Sequence, residues 1–417
     1  MVTTVGTEHS GAPIGPPRPY ADVRVVDLSQ GFAGPYAATL LADQGADVVK
    51  VEPPSGDWSR NIGTRHEGNT AFGITSNIAK RSIRVDARTA GGRDVIERLV
   101  AGADVVLQNY LPTAACRLGL DFESLRAVNH RLVYVSITGF GTEGPAVGRP
   151  ATDMILQGWS GLARLGSDAE GRPRPLGFIV VDVAAGIYAA QRIGGALFEQ
   201  ARLGRGARIE ISLLQAALAL QGAALLDRAL ARYSGASSDG ATRLAVPYGV
   251  YAAADADMML SCINDRMWAG IREVLELDDI LGDQGFETVE ERLARGPEID
   301  SAVTAILPKR TVAEWVESLS ERGVLCGPVL TYDEVLSDPT ITASRAFRQL
   351  RRRSGSVPFA RFPGATLAGK PEVYSPDAGE HTEEVLHEIG FSDQRVRELL
   401  AAGDVYGVLT DARSEDR

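Results

Sequence analysis

Cysteine is scarce in this 417-residue chain, and Cys116, Cys262 and Cys326 stand far apart. Three isolated thiols form neither a disulfide framework nor a metal knuckle. They fit a reducing compartment, so a cytoplasmic location is expected. Five scattered histidines make no HExxH or comparable pair, and no metal site is expected. Long apolar runs are missing too. Stretches such as residues 216–226 are broken by Gln or Gly and fall short of a bilayer span, which argues against a membrane protein. Residues 1–20 hold Gly, Pro, Ser and Thr without a basic-then-apolar order, so they read as a disordered tail rather than a signal peptide. Positive charge is in deficit: 43 Lys and Arg against 54 Asp and Glu leave a net charge of −11. That argues against nucleic acid as a partner and means that an anionic ligand needs a local basic site.

What is present is an ordinary globular composition, in a chain longer than one hydrophobic core usually serves, so two domains are expected. From residue 23 the pattern is regular. VRVVDL (23–28) reads as a buried strand, Gly34-Pro35 opens a helix through Asp43, and ADVVKVE (46–52) is a second strand. Strands at 81–86, 103–109, 131–137 and 207–213 alternate with helices at 90–101, 121–129, 186–202 and 214–232. This alternation predicts an α/β fold, a Rossmann-like large domain with a parallel sheet. The loop after the first strand, residues 29–34, spaces its glycines G-x-x-G. The dinucleotide fingerprint needs G-x-G-x-x-G, so a nicotinamide oxidoreductase is disfavoured, although Glu52 stands where a ribose-binding acid would be.

A smaller α+β domain is expected at 245–330, opening with a hairpin over 249–263 and continuing in helices at 265–277, 289–294 and 312–320. The large domain is expected over 21–215, with residues 216–244 as a linker helix and linker. The tail at 331–417 carries a basic patch at 348–353 and helices at 381–389 and 393–402.

The stretch GFIVVDVAAGIYAA (177–190) holds one acid, Asp182, between a β-branched run and a small, helix-compatible one. Placed at a strand-to-helix turn, it faces the unpaired N–H groups of a first helical turn, which favour its ionised form. Two readings stay open on these residues: a helix N-cap, and a carboxylate nucleophile beside which the small residues leave room.

The segments 27–60, 76–110, RLGL (117–120), GFGTEGP (139–145), the Asp182 stretch, CGPV (326–329) and GEHTEEVLHEIG (379–390) resemble the family III CoA-transferases. That group includes formyl-CoA:oxalate and carnitine CoA-transferases and, as a side branch, 2-methylacyl-CoA racemases. The resemblance covers nearly the whole chain after residue 22. It implies a large domain built from both chain ends, with residues 331–417 a linker and C-terminal return to it, an interlocked homodimer, and transfer of CoA from an acyl-CoA thioester to a small carboxylic acid, with no permanently bound cofactor. It makes Asp182 the catalytic acid, attacking the thioester to form an acyl-aspartyl anhydride and then an aspartyl-CoA thioester. The family's CoA contacts carry over to Gln30, Ala33, Lys80, Asn109, Tyr110 and Arg117; Lys80 and Arg117 suit the anionic phosphates.

Some positions depart from the family pattern. Pro53 replaces an adenine-flanking Arg, Phe32 stands where the formyl-CoA enzyme has an active-site Gln, and that enzyme's glycine-rich loop has no counterpart near residues 245–251. These departures count against oxalate and formate as substrates. A 2-methylacyl-CoA epimerase is the alternative enzyme. Its branch carries a histidine in the segment matching residues 150–153, where this chain has Thr152, whose hydroxyl is no base near neutral pH. Asp153 beside it reads as a helix-capping residue. A non-catalytic CoA-binding protein is the third reading.

Overall fold

The computed structural model describes residues 18–168, 170–234, 245–282, 286–364 and 372–409. Most of the expected N-terminal tail and the linker residues 235–244 lie outside them. The described residues gather in two compact units: residues up to Gly222 together with those from Ala346 onward, and Ala223–Arg345.

The first unit is built on a seven-stranded sheet. Its strands are β1 (Arg24–Asp27), β2 (Asp47–Glu52), β3 (Arg81–Val85), β4 (Val105–Gln108), β5 (Val133–Thr138), β6 (Ala207–Ser212) and β7 (Val405–Tyr406). Their order across the sheet is β7-β3-β2-β1-β4-β5-β6. Every pairing is parallel except β7 on β3. The β-branched runs of β1, β2, β4 and β5 follow from burial on both faces, whereas the edge strand β6 alternates, with Arg208 and Glu210 exposed. Successive side chains alternate: Val25, Val105 and Val133 join the core on one face, Val26, Val106 and Tyr134 the core on the other.

The strand order reverses beside β1, whose neighbours are β2 and β4. In open α/β sheets ligands bind at the carboxyl ends of the strands where this reversal leaves a crevice. Here the crevice is bounded by the turn into α1 (Ala33–Asp43) and by the turn after β4. The first core face is covered by α1 and by the 24-residue helix α3 (Val180–Leu203); α2 (Asp153–Trp159) and α4 (Leu213–Leu220) pack with α3.

Two expected boundaries are corrected. The expected β-branched strand before Asp182 does not form: helix α3 begins already at Val180, and Phe178 is exposed. Its buried stripe, Val181, Ala185, Ala189 and Ile193, has a spacing of four and belongs to a helix packed on a sheet. The single helix expected at 214–232 is broken into α4 and Gly222–Ser234. Gln221 between them is buried and donates to the carbonyls of Ala217 and Ser160. The basic patch at 348–353 belongs to a hairpin of Phe347–Arg352 and Gly355–Ala360.

The second unit contains a three-stranded antiparallel sheet in which Asp257–Ser261 pairs with Tyr248–Ala252, forming the expected hairpin, and with Leu325–Pro328. Its core includes Trp268, Phe286 and Trp315 and is completed by helix Gly296–Ile306, which the sequence reading passed over. Among the described residues no single helix is long and apolar enough to cross a membrane, though the pair interrupted at Gln221 reaches that length and composition together.

Candidate active site

The turn Ser29–Gly31, between β1 and α1, is pinned at five successive backbone groups by side chains. Asp27 accepts from the Ser29 N–H at 3.1 Å and from its hydroxyl, while Lys50 donates to the Ser29 carbonyl. The Asn109 amide accepts from the Gln30 N–H at 2.9 Å and donates to the Gln30 carbonyl at 2.7 Å. Asp57 accepts from the Gly31 N–H at 2.9 Å. Gly31 sits at φ +82, and the Trp58 ring lies where its Cβ would be, so only glycine serves there. The Gln30 side chain is thereby fixed at the crevice, with its Nε2 3.3 Å from the Tyr110 hydroxyl.

Two clefts meet at this pair. One, of about 410 Å³, is lined by Gln30, Pro53, Tyr110 and Arg117, with Arg88 on its wall. The other, of about 380 Å³, is lined by Gln30, Tyr110, Asn109, Trp58, Phe140 and Arg149. Gln30, Asn109, Tyr110 and Arg117 are thus brought together from residues 87 positions apart in sequence. Arg117 is exposed and has no ion-pair partner among the described residues. Arg149 is exposed as well, and its guanidinium lies 5.9 Å and 5.3 Å from the ring centres of Phe140 and Trp159. Ala33 is buried at the crossing of α1 and α3, where its carbonyl stands 2.9 Å from the Cβ position of Gly186.

Lys80 is corrected. The expected phosphate ligand is buried, and its three ammonium donors go to Asp27 at 2.8 Å, the Pro35 carbonyl at 2.7 Å and the Ser76 carbonyl at 2.7 Å. No donor is left for a ligand. Burial pushes its pKa down to about 8 against the pull of Asp27. It belongs to a network of six buried charges. Lys50 lies 2.9 Å from Asp57 and 3.7 Å from Asp27, and Glu52 takes a two-pronged bond from Arg60 at 2.7 and 2.8 Å. Burial alone would raise the Asp27 and Glu52 carboxyls; Lys50 and Lys80 beside the first, and Arg60 beside the second, hold both below the usual range.

Arg88 is the cation that sequence reasoning missed. It stands in the turn directly after β3, faces the first cleft, and is held by Asp86 at 2.7 and 2.8 Å while remaining exposed. Its signal was positional, since turns at the carboxyl ends of the strands face the crevice.

Asp182 is the third residue of α3, one turn before Gly186 and on the same helix face. The expectation that first-turn N–H groups and the helix end would keep it ionised does not hold. Those N–H groups are occupied by Asp153, whose Oδ2 accepts from Val181 at 2.6 Å and from Asp182 at 2.9 Å. Asp153, the first residue of α2, therefore caps a helix other than its own. Gln157 locks it in place, donating to its Oδ1 at 2.5 Å and accepting from the Leu176 N–H at 2.8 Å. Asp182 is partly exposed, yet burial, and secondarily the charge of Asp153, raise its carboxyl to about 7. It lines neither cleft itself; the chain reaches its capping residue Asp153 from Arg149–Ala151 on the wall of the second. Among the described residues no group of His, Cys, Asp or Glu is arranged to hold a metal ion.

Residues 20–382 match the family described as CoA-transferase family III. A succinate–glutarate CoA-transferase from Agrobacterium fabrum is 32% identical over 383 residues, which is 89% of this chain and 96% of that protein. An acetyl-CoA:oxalate CoA-transferase from Acetobacter aceti is 30% identical over 347 residues, 83% of this chain and 88% of that one. The crystal structure of a CaiB/BaiF family protein from Brucella suis superposes with a TM-score of 0.78 at 31% identity, covering 89% of this chain and 99% of the other.

Proposed function

The chain belongs to CoA-transferase family III, and from that premise we propose that Asp182 carries CoA between carboxylic acids as a covalent nucleophile. The Asp182 carboxylate attacks the acyl-CoA carbonyl carbon, the C–S bond breaks, and an acyl-aspartyl anhydride forms with release of CoA thiolate. The thiolate attacks the aspartyl carbonyl, expelling the donor carboxylate and leaving an aspartyl-CoA thioester. The acceptor carboxylate and then the returning thiolate run the two steps in reverse, giving the new acyl-CoA and free Asp182. A thiolate needs no general acid to leave, so no histidine is required. The observation that carries the reading is Asp182 itself: a carboxylate whose pKa is raised to about 7, hence a stronger nucleophile than an ordinary aspartate, one turn before Gly186, where α3 packs on α1.

The two adjoining clefts form the proposed CoA groove, with Gln30 and Tyr110 at its waist, Arg117 and Arg88 for the phosphates, and Asn109 holding the turn. Dicarboxylic acids are the proposed substrate class. Both relatives are named for such acids, and Arg149, which has no ion-pair partner among the described residues, offers a cation to a second carboxylate. The proposed assembly is a homodimer, in line with the exposed Ile187, Tyr188, Phe198 and Leu203 along α3 and Met154 and Trp159 on α2; light scattering then gives twice the chain mass, and a monomeric mass rejects it.

The reading is tested by mass spectrometry of CoA exchange between a panel of acyl-CoAs and dicarboxylates. Transfer is expected, and in Arg117→Ala and Arg88→Ala the KM for acyl-CoA rises about tenfold with little change in kcat, since phosphate contacts remote from the thioester serve ground and transition states alike. The loss narrows at high salt. An unchanged KM in both variants places the phosphates elsewhere.

Ionised Asp182 is the attacking form, so kcat/KM is expected to rise with pH through an inflection near 7, the pKa in the free enzyme. Asp153→Asn keeps an acceptor for the Val181 and Asp182 N–H groups but removes a like charge, and its inflection moves down by on the order of one unit. An inflection that does not move means that Asp182 does not feel Asp153.

A further inference from the structure

We propose that Asp57 and Lys50 are positioning residues of the CoA groove: they hold the Ser29–Gly31 turn, and through it Gln30, in binding geometry. The proposal rests on the reading of the two clefts as the CoA site. Asp57 spends one oxygen on the Gly31 N–H and the Ser59 N–H, each at 2.9 Å, and presents the other to Lys50 at 2.9 Å. Lys50 reaches past it to the Ser29 carbonyl. Asp57 also caps the short helix Trp58–Asn61, so the same carboxylate fixes Trp58, which lies over Gly31 and on the wall of the second cleft. Its own N–H is tied to Glu52 at 2.8 Å.

The side chains of Asp57 and Lys50 are fully buried. Stability alone gives no reason for such a pair, since replacing a buried ion pair with apolar side chains of similar size is often neutral or favourable. What an apolar pair cannot do is hold both the Ser29 carbonyl and the Gly31 N–H. The surrounding charges make the pair separable. Asp27 is balanced by Lys80 and Glu52 by Arg60, so Lys50 and Asp57 form the remaining neutral pair. Removing both leaves no uncompensated charge; removing one does.

The test measures binding of free CoA by calorimetry together with thermal stability. Lys50→Met/Asp57→Leu is expected to melt closer to wild type than Asp57→Asn does, yet to bind CoA about tenfold more weakly, because the turn is no longer pre-organised. Asp57→Asn strands the Lys50 charge and melts lower, but its amide oxygen still accepts from Gly31, so its CoA affinity stays within about threefold of wild type. If the double variant does not fold, Asp57→Ala against Asp57→Asn repeats the comparison: only the alanine loses affinity. Affinity that tracks melting temperature across the variants, or a double variant binding CoA as tightly as wild type, overturns the positioning role. Wild-type protein that binds no CoA overturns the reading of the clefts and this proposal with it.

Discussion

Asp182→Asn lowers CoA transfer by on the order of 10³–10⁵-fold, the scale seen when a member of a covalent catalytic set is removed, and it stabilises the fold above neutral pH. The stability effect follows from the raised carboxyl. Its pKa is about 7 in the folded chain, against about 3.9 unfolded. A group raised on folding contributes stability that is fully present below the unfolded value and is lost as pH climbs through the folded one. At pH 8 the wild type therefore carries the full cost of an ionised, poorly solvated carboxylate, and the amide does not. Three units correspond to about 4 kcal/mol, an upper bound that the partial exposure of Asp182 reduces to about 1–2 kcal/mol. Urea unfolding at pH 4 and pH 8 checks this: the advantage of the Asn variant grows between them. Parallel loss of stability in both proteins rejects the raised carboxyl, and near-normal turnover by the Asn variant rejects the nucleophile. Incubation of wild type with acyl-CoA and hydroxylamine traps the acyl-enzyme as a hydroxamate at Asp182.

Lys80→Met is expected to cost about 3–5 kcal/mol of folding stability, the usual result of removing one partner from a buried ion pair. Total stabilities of about 5–15 kcal/mol make that a large share. The variant leaves Asp27 facing only Lys50 at 3.7 Å and the Ser29 groups, and it takes the ammonium donor from the Ser76 carbonyl and from the Pro35 carbonyl, which keeps the Thr39 hydroxyl. Adding Asp27→Asn to it recovers part of the loss. The outcome is opposite in kind to that of Arg117→Ala, which alters CoA binding and leaves the urea midpoint in place. A Lys80→Met protein as stable as wild type, with a raised KM, would return Lys80 to the phosphate site.

The architecture was legible along the chain because its signals are local. A strand buried on both faces needs a run rich in β-branched residues, an edge strand such as β6 an alternation, and a crossover helix its own apolar stripe, so β1 to β6 and the helices of residues 33–43 and 90–101 stand in the sequence within one or two residues. Asp182 was likewise singled out by its neighbours, one acid among small residues.

Tertiary structure decided the fate of each charge. Nothing near residue 80 in sequence distinguishes a surface lysine from one enclosed by Asp27, Pro35 and Ser76, and the strand before Arg88 places it at the crevice end of the sheet without showing which cleft it faces. Asp182 and Asp153 are 29 positions apart, yet it is Asp153 that takes the helix N–H groups, while burial, and secondarily the charge of Asp153, raise the Asp182 carboxyl to about 7. Secondary structure follows from short-range sterics and apolar spacing, which the order of residues states directly. Ionisation and ligand access depend on which groups the strand order brings within a few ångströms of one another, and that is determined only when the sheet closes around β1.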